Sequence, residues 1–163
     1  GRAEVLGTQR FDSVQPRYNL LFREFEREMF PLCREEGIAV IPYNPLAGGF
    51  LSGKHKDPTA TADGTRFAEG DQGARYRERY WHERMFAVVD EMRDLAADAG
   101  VSMATMALQW VLANPAITSP IVGASRPEQL AEAVAAASTP MDADLRVRLD
   151  ELTHEFRFGD SAR

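Results

Sequence analysis

Gly37-Ile-Ala-Val-Ile-Pro-Tyr-Asn-Pro-Leu-Ala-Gly-Gly49 is the stretch on which the fold turns. Gly37 stands where the end of a helix wants a residue of positive φ, and residues 38–42 are apolar at successive positions, as in a strand covered on both faces. Upstream, residues 22–36 have helical character, and Phe11-Asp-Ser-Val-Gln15 before them is another β-type run. Strand, helix and strand in that order form a β-α-β unit, which favours parallel pairing.

Downstream, residues 48–80 shift to Gly, Thr, Asp and Arg without sustained periodicity, which predicts a long excursion of the functional or mobile kind. A helix is expected from Trp81 to Ala99, with Met85, Val88, Val89, Met92, Leu95 and Ala96 recurring at steps of three and four until Gly100 ends it. Ser102 is the N-cap expected for the next helix, which carries Met106, Ala107, Trp110 and Val111 and stops before Pro115. Ile117-Thr-Ser-Pro-Ile-Val122 reads as a third strand, paired irregularly because Pro120 has no N–H. After the turn Gly123-Ala-Ser125, helices are expected over residues 127–137, with Pro127 at the first helical position, and over 142–156, capped by Asp142 with Leu145, Leu149 and Leu152 buried. The Arg/Glu run from Arg75 to Arg84 reads as an exposed helix face laced with i,i+4 pairs. The class is α/β with a parallel sheet. A closed barrel needs eight strands and roughly 250 residues, and three strands leave two edges open. The chain is therefore expected to be a segment of a larger protein or to assemble with another.

At 163 residues, 44% of them hydrophobic and 27% charged, the chain reads as one globular domain. A net charge of −6, with basic and acidic residues interleaved, points away from nucleic acid. Apolar runs break well short of the roughly 20 positions of a spanning helix, and no signal peptide opens the chain, so no membrane role is expected. Cys33 is the only cysteine, unable to make an internal disulfide or a thiol metal cluster, and reads as a small buried hydrophobe. A cytoplasmic setting and no metal site follow as expectations.

Three motifs carry a resemblance. Gln15-Pro-Arg-Tyr-Asn-Leu-Leu, then Ile41-Pro-Tyr-Asn-Pro-Leu-Ala-Gly-Gly-Phe-Leu-Ser-Gly-Lys54, then Ile121-Val-Gly-Ala-Ser-Arg-Pro-Glu-Gln-Leu130 are similar, in order and over essentially the whole chain, to the sixth, seventh and eighth strand ends of aldo-keto reductases. The nearest flavour is the branch of bacterial reductases and potassium-channel β subunits. The resemblance implies that residues 1–163 are the cofactor-holding, C-terminal part of a (β/α)8 barrel that reduces small carbonyl compounds with NADPH. Residues 48–80 would be the long cofactor and substrate loop.

The same resemblance assigns roles by position. Gln15 would bond the nicotinamide carboxamide and Tyr43 would stack on the ring, orienting rather than protonating. Asn44, Pro45, Leu46, Ala47, Gly48 and Gly49 would form a belt over the pyrophosphate, with Lys54 and Arg66 adding cations. Gly123, Ser125, Arg126 and Gln129 would grip the ribose and its 2′-phosphate, and Glu132 would face the adenine; a 2′-phosphate contact favours NADPH over NADH. Ala133 departs from the Asn often found there, which implies looser adenine anchoring.

The catalytic Asp, Tyr, Lys and His of the family lie on the first four strands, and none of those motifs occurs here. No catalytic residue is therefore assigned. Lys54 and Lys56, the only lysines, follow the second strand, and His55, His82 and His154 have no carboxylate at telling spacing. Alone, the chain is expected not to turn over carbonyls, and its partner would be the N-terminal half of the barrel or another chain completing the sheet. A non-catalytic dinucleotide-binding or interaction module, a half-barrel or a channel-β-like subunit, stays open as the alternative.

Overall fold

The computed structural model describes residues 2–60, 64–68 and 70–159. Its elements are α1 (Arg2–Leu6), β1 (Ser13–Val14), α2 (Met29–Glu36), β2 (Ala39–Val40), α3 (Asp71–Tyr80), α4 (Glu83–Asp98), α5 (Met103–Leu112), α6 (Pro127–Ser138) and α7 (Ala143–Leu152). Short 3-10 turns cover Glu24–Glu26, Ala47–Ser52 and His154–Phe158.

β1 and β2 pair in parallel, Ser13 opposite Ala39 and Val14 opposite Val40. Pairing continues past the named strands, because Tyr43 N–H donates to the Pro16 carbonyl (2.9 Å) and Tyr18 N–H to the Tyr43 carbonyl (3.3 Å). On the other side of β2, the third β-type run makes no regular strand. Thr118 and, more weakly, Ser119 N–H donate to the Val40 carbonyl (2.9 and 3.4 Å), and the next donor is Ile121, to Pro42 (2.8 Å). Pro120 has no N–H to offer at the intervening alternate position, so the ladder skips by one residue and survives only as the parallel bridge from Tyr43 to Ile121. Tyr43 therefore sits at the middle of three parallel chain segments.

The caps follow the sequence closely. Gly37 takes φ 63° at the end of α2. Ser102 accepts from Thr105 N–H and Asp142 from Leu145 N–H, and Pro127 opens α6. Three expectations need correction. The helix expected over 22–36 is only a 3-10 turn and a short α2, because Leu20, Leu21 and Phe22 are buried and Arg23 is held from outside its own segment. The excursion over 48–80 holds a ten-residue helix, α3. The Arg75 to Arg84 run is not one face: extended His82 separates α3 from α4. Its arginines reach away from the helix, Arg77 to the Phe67 and Ala68 carbonyls (2.6 and 2.9 Å) and Arg84 to Glu155 (2.7 Å).

The core lies between the sheet and α4, α5 and α7. Val40, Val88, Val89, Met92, Met106, Val111 and Leu149 are fully buried there. Cys33 is buried in the same core, which pushes its thiol pKa up. No single helix among the described residues is long and apolar enough to cross a membrane.

Candidate functional site

A cleft of about 690 Å³ opens at the ends of β2 and of the third β-type run, where their loops leave the sheet. Tyr43, Asn44, Pro45, Leu46, Gly48 and Gly49 form one wall, with Lys54 beside Gly49. Gly123, Ser125 and Arg126 face them from the third run, and Gln129 and Glu132 from α6. Arg66 comes from the long loop. Two residues singled out from the sequence are not in the lining. Ala47 is fully buried beneath the turn, and Gln15 is exposed just past β1.

The β2 turn is tightly wound. Asn44 (φ 62°), Ala47 (φ 50°), Gly48 (φ 71°) and Gly49 (φ 100°) all have positive φ. Asn44 and Ala47 are side-chain-bearing residues in a region that L residues seldom occupy, so their surroundings must hold them there. Asn44 is held through both ends of its amide: Oδ1 accepts from Gly48 N–H (2.6 Å) and Nδ2 donates to the Tyr80 hydroxyl (3.1 Å). Leu46 accepts from the N–H groups of Gly49 (2.8 Å) and Leu51 (3.2 Å), and Asn44 from that of Ala47 (3.0 Å). The turn thus consumes its own amides, and attraction for an anion falls to the side-chain cations.

Those cations stand open. Among the described residues no carboxylate forms an ion pair with Lys54, Arg66 or Arg126. Arg66 crosses the cleft: a Cβ built on Gly123 would lie 3.2 Å from Arg66 Nη2, while Arg66 Nη1 donates to the Tyr76 hydroxyl (3.4 Å). On the far side, Gln129 Oε1 accepts from Ser125 N–H (2.8 Å) and Oγ (3.1 Å), closing the Ser125 turn. Glu132 accepts from Ser102, the α5 N-cap, and from Thr105 (3.4 Å). Ala133 is buried against Leu108, Val122 and Leu46, where a larger polar side chain would be misplaced.

Ser52, Thr65, Tyr76, Ala104, Leu108, Ile121, Val122 and Ala124 also line the cleft and were not singled out. Tyr76 carried a signal, being four residues before Tyr80 on what proves to be a helix. The small and apolar ones look like any other core residue in a sequence.

Behind the cleft His55 is 4% exposed, boxed by Phe50 (6.1 Å), Phe67 (4.9 Å) and Trp81 (5.2 Å), and its Nε2 has no hydrogen-bond partner among the described residues. Burial, and secondarily the Lys54 charge, push its pKa from 6.5 down to about 4. The folded chain thus favours neutral His55, so the stability this contributes is present above pH 6.5 and is lost as pH falls from 6.5 towards 4. Between pH 7 and pH 4 this loss should reach on the order of 2–3 kcal/mol. Urea titrations at both pH values check it: His55→Phe should show the smaller loss, and an equal loss in both chains would refute the assignment.

Parallel strand ends that carry glycine-rich and basic loops around an open cleft define an α/β protein whose cleft suits an elongated anionic ligand. Comparison with known proteins makes the class specific, since the model of the "Aldo/keto reductase family" matches residues 3–154, and the chain belongs to that family. It is 34% identical to the "Uncharacterized oxidoreductase YrpG" of Bacillus subtilis over 85% of this chain and 39% of that protein. Identity is 34% to the "Versiconal hemiacetal acetate reductase" of Aspergillus parasiticus, covering 83% of this chain and 38% of the relative. It is 37% to the "NADH-specific methylglyoxal reductase" of Escherichia coli, covering 86% and 42%. The chain spans about two fifths of the length of the curated relatives it matches.

Proposed function

We propose that the chain is the cofactor-holding part, strands six to eight, of a (β/α)8-barrel oxidoreductase that reduces aldehydes or ketones with NADPH. The observation that carries this reading is the meeting of Arg66 and Gly123 over a cleft floored by Tyr43, which brings three separate strand-end segments around one space. The cleft suits a dinucleotide. Lys54 and Arg66 lie where a pyrophosphate needs cations, and Arg126 beside Ser125 is placed for a further phosphate on the ribose. Glycines at 48 and 49 make room for the Tyr76 ring and the Lys54 side chain to close on the turn.

When bound, the dinucleotide supplies the hydride for carbonyl reduction. The chain's own residues bind and orient: Tyr43, 38% exposed at the cleft mouth, offers a ring face for the nicotinamide. Gln15, outside the cleft lining, acts on the carboxamide only if its exposed side chain turns inward on binding. Proton donation belongs to residues of the barrel's other half, so this chain alone is inactive. Exposed Phe11, on the segment that leads into β1, fits the reading that further elements of the barrel cover that edge. The cytoplasmic assignment rests on the unpaired Cys33 alone.

Cofactor choice is the point to test, because one relative is named as NADH-specific. Fluorescence titration of the chain with NADPH and NADH should give the tighter curve for NADPH. Arg126→Ala should weaken NADPH about tenfold or more, the worth of one charge-assisted phosphate contact of about 1.5–3 kcal/mol, and leave NADH nearly unchanged. Equal losses for both nucleotides would remove the 2′-phosphate assignment. Binding of neither would leave a non-catalytic interaction module as the better reading.

A further inference from the structure

We propose that Tyr80 is a positioning residue of the cleft: it touches no ligand, yet its hydroxyl fixes the Asn44 side chain and thereby presets the turn over residues 43–49 for the dinucleotide. The proposal rests on the reading of the cleft as a dinucleotide site.

Tyr80 is 1% exposed at the end of α3, and its hydroxyl receives two side-chain amides. Asn19 Nδ2 donates to it (3.2 Å), as does Asn44 Nδ2 (3.1 Å). The polarity of this chain of bonds is set at its two ends, by the backbone N–H groups of Leu21 and Gly48. Asn19 is fully buried, and its Oδ1 accepts from Leu21 N–H (2.9 Å), so its Nδ2 must point the other way, to Tyr80 and to the Asn44 carbonyl (3.0 Å). The Tyr80 hydroxyl could accept or donate, so it is the Gly48 N–H that fixes the Asn44 amide: Oδ1 takes that donor, which turns Nδ2 to the Tyr80 oxygen. A flipped Asn44 amide would set donor against donor at Gly48. Two strand ends and α3 are thus joined at one oxygen, and what they secure is a non-glycine residue at φ 62° directly after Tyr43.

One helical turn earlier, Tyr76 clamps the same turn differently, its ring pressed on Gly48 where a Cβ would come within 2.5 Å of Cε1. α3 therefore grips the 43–49 turn at both ends, by a hydroxyl at Asn44 and a ring at Gly48. Only the hydroxyl carries directional information.

Tyr80→Phe keeps the ring in the core and removes the hydroxyl, acceptor and donor together. Hydrogen exchange of the Gly48 amide should rise at least tenfold, and the NADPH dissociation constant should rise about tenfold, with exchange in α4 and α5 unchanged. In an Asn44→Gly background glycine takes positive φ unaided, so adding Tyr80→Phe should then change neither quantity. Unchanged Gly48 exchange in Tyr80→Phe, or an undiminished effect in the Asn44→Gly background, overturns the proposal. A wild-type chain that binds no NADPH contradicts the cofactor reading instead, and the Gly48 exchange still decides the role of Tyr80.

Discussion

Arg23→Ala is expected to lower the stability of the fold by about 3 kcal/mol, the lower end of the cost of breaking a buried ion pair, because Glu26 keeps the Tyr18 hydroxyl (2.7 Å) and Arg157 (3.3 Å). Arg23 is 5% exposed and spends every donor: Nε and Nη2 bond the two oxygens of Glu26 (both 2.9 Å), Nη2 also meets Asp150 Oδ1 (3.0 Å), and Nη1 reaches Thr153 Oγ1 (2.6 Å) and the Asp150 carbonyl (3.1 Å). Its guanidinium also lies 4.9 Å from the centre of the Trp110 ring, whose Nε1 donates to Asp150 Oδ1 (2.9 Å). One side chain therefore joins the segment after β1 to α5, α7 and the final turn. Urea unfolding should show a lower midpoint at unchanged slope. Arg23→Met with Glu26→Leu should recover only part of the loss, because it removes both charges of the pair but strips Arg157 and Asp150 of one partner each. A single-variant loss below about 1 kcal/mol would mean that solvent reaches Glu26 and the network is ornamental.

Gly48→Val should act on both stability and the cleft. Position 48 has φ 71°, and a new Cβ would lie 2.5 Å from Tyr76 Cε1. Left-handed strain of about 1–2 kcal/mol adds to overpacking of about 1–3 kcal/mol, and NADPH affinity should fall more than tenfold as the Tyr76 ring is pushed towards Arg66. Gly64→Ala separates the two causes: it has the same φ of 71° but nothing within 4 Å, so only the strain should appear. Equal losses at both positions would show that contact with Tyr76 contributes nothing.

The parts of the fold that could be read in the sequence are those fixed by short-range chemistry. Ser102, Asp142, Pro127 and Gly37 each do in the structure what their side chain or φ preference demands. The apolar period of α4 names its buried face, whereas α5 is buried at every position from 106 to 111, because α6 covers the side that the core does not and takes in Leu108. α3 was hidden because Asp71-Gln-Gly-Ala-Arg-Tyr-Arg-Glu-Arg-Tyr80 has Gly73 near its start and buries little beyond two tyrosines. Its order comes from distant partners, Asn19 and Asn44 at Tyr80 and Gly48 at Tyr76, which no local pattern encodes.

The cleft was legible as motifs but not as a mechanism of assembly. Tyr43, Gly48 to Gly49 and Gly123 to Arg126 stand out as loop chemistry at strand ends, and the structure brings them to one space. That the amides of the Asn44 turn are spent internally, leaving Lys54 and Arg66 as the cations facing the cleft, depends on dihedrals that only the folded chain defines. Gln15 falls outside the lining because the β1 end is at the sheet's open side, where the sequence gives no hint of direction.

The proposed grip of three loops on one dinucleotide is tested most directly by amide hydrogen exchange of the chain with and without saturating NADPH. Coordinate protection is expected over residues 43–49, 64–66 and 123–129, all reversed together in Arg66→Ala. Protection confined to one of the three segments, or none at NADPH concentrations that saturate reductases of this family, would contradict it.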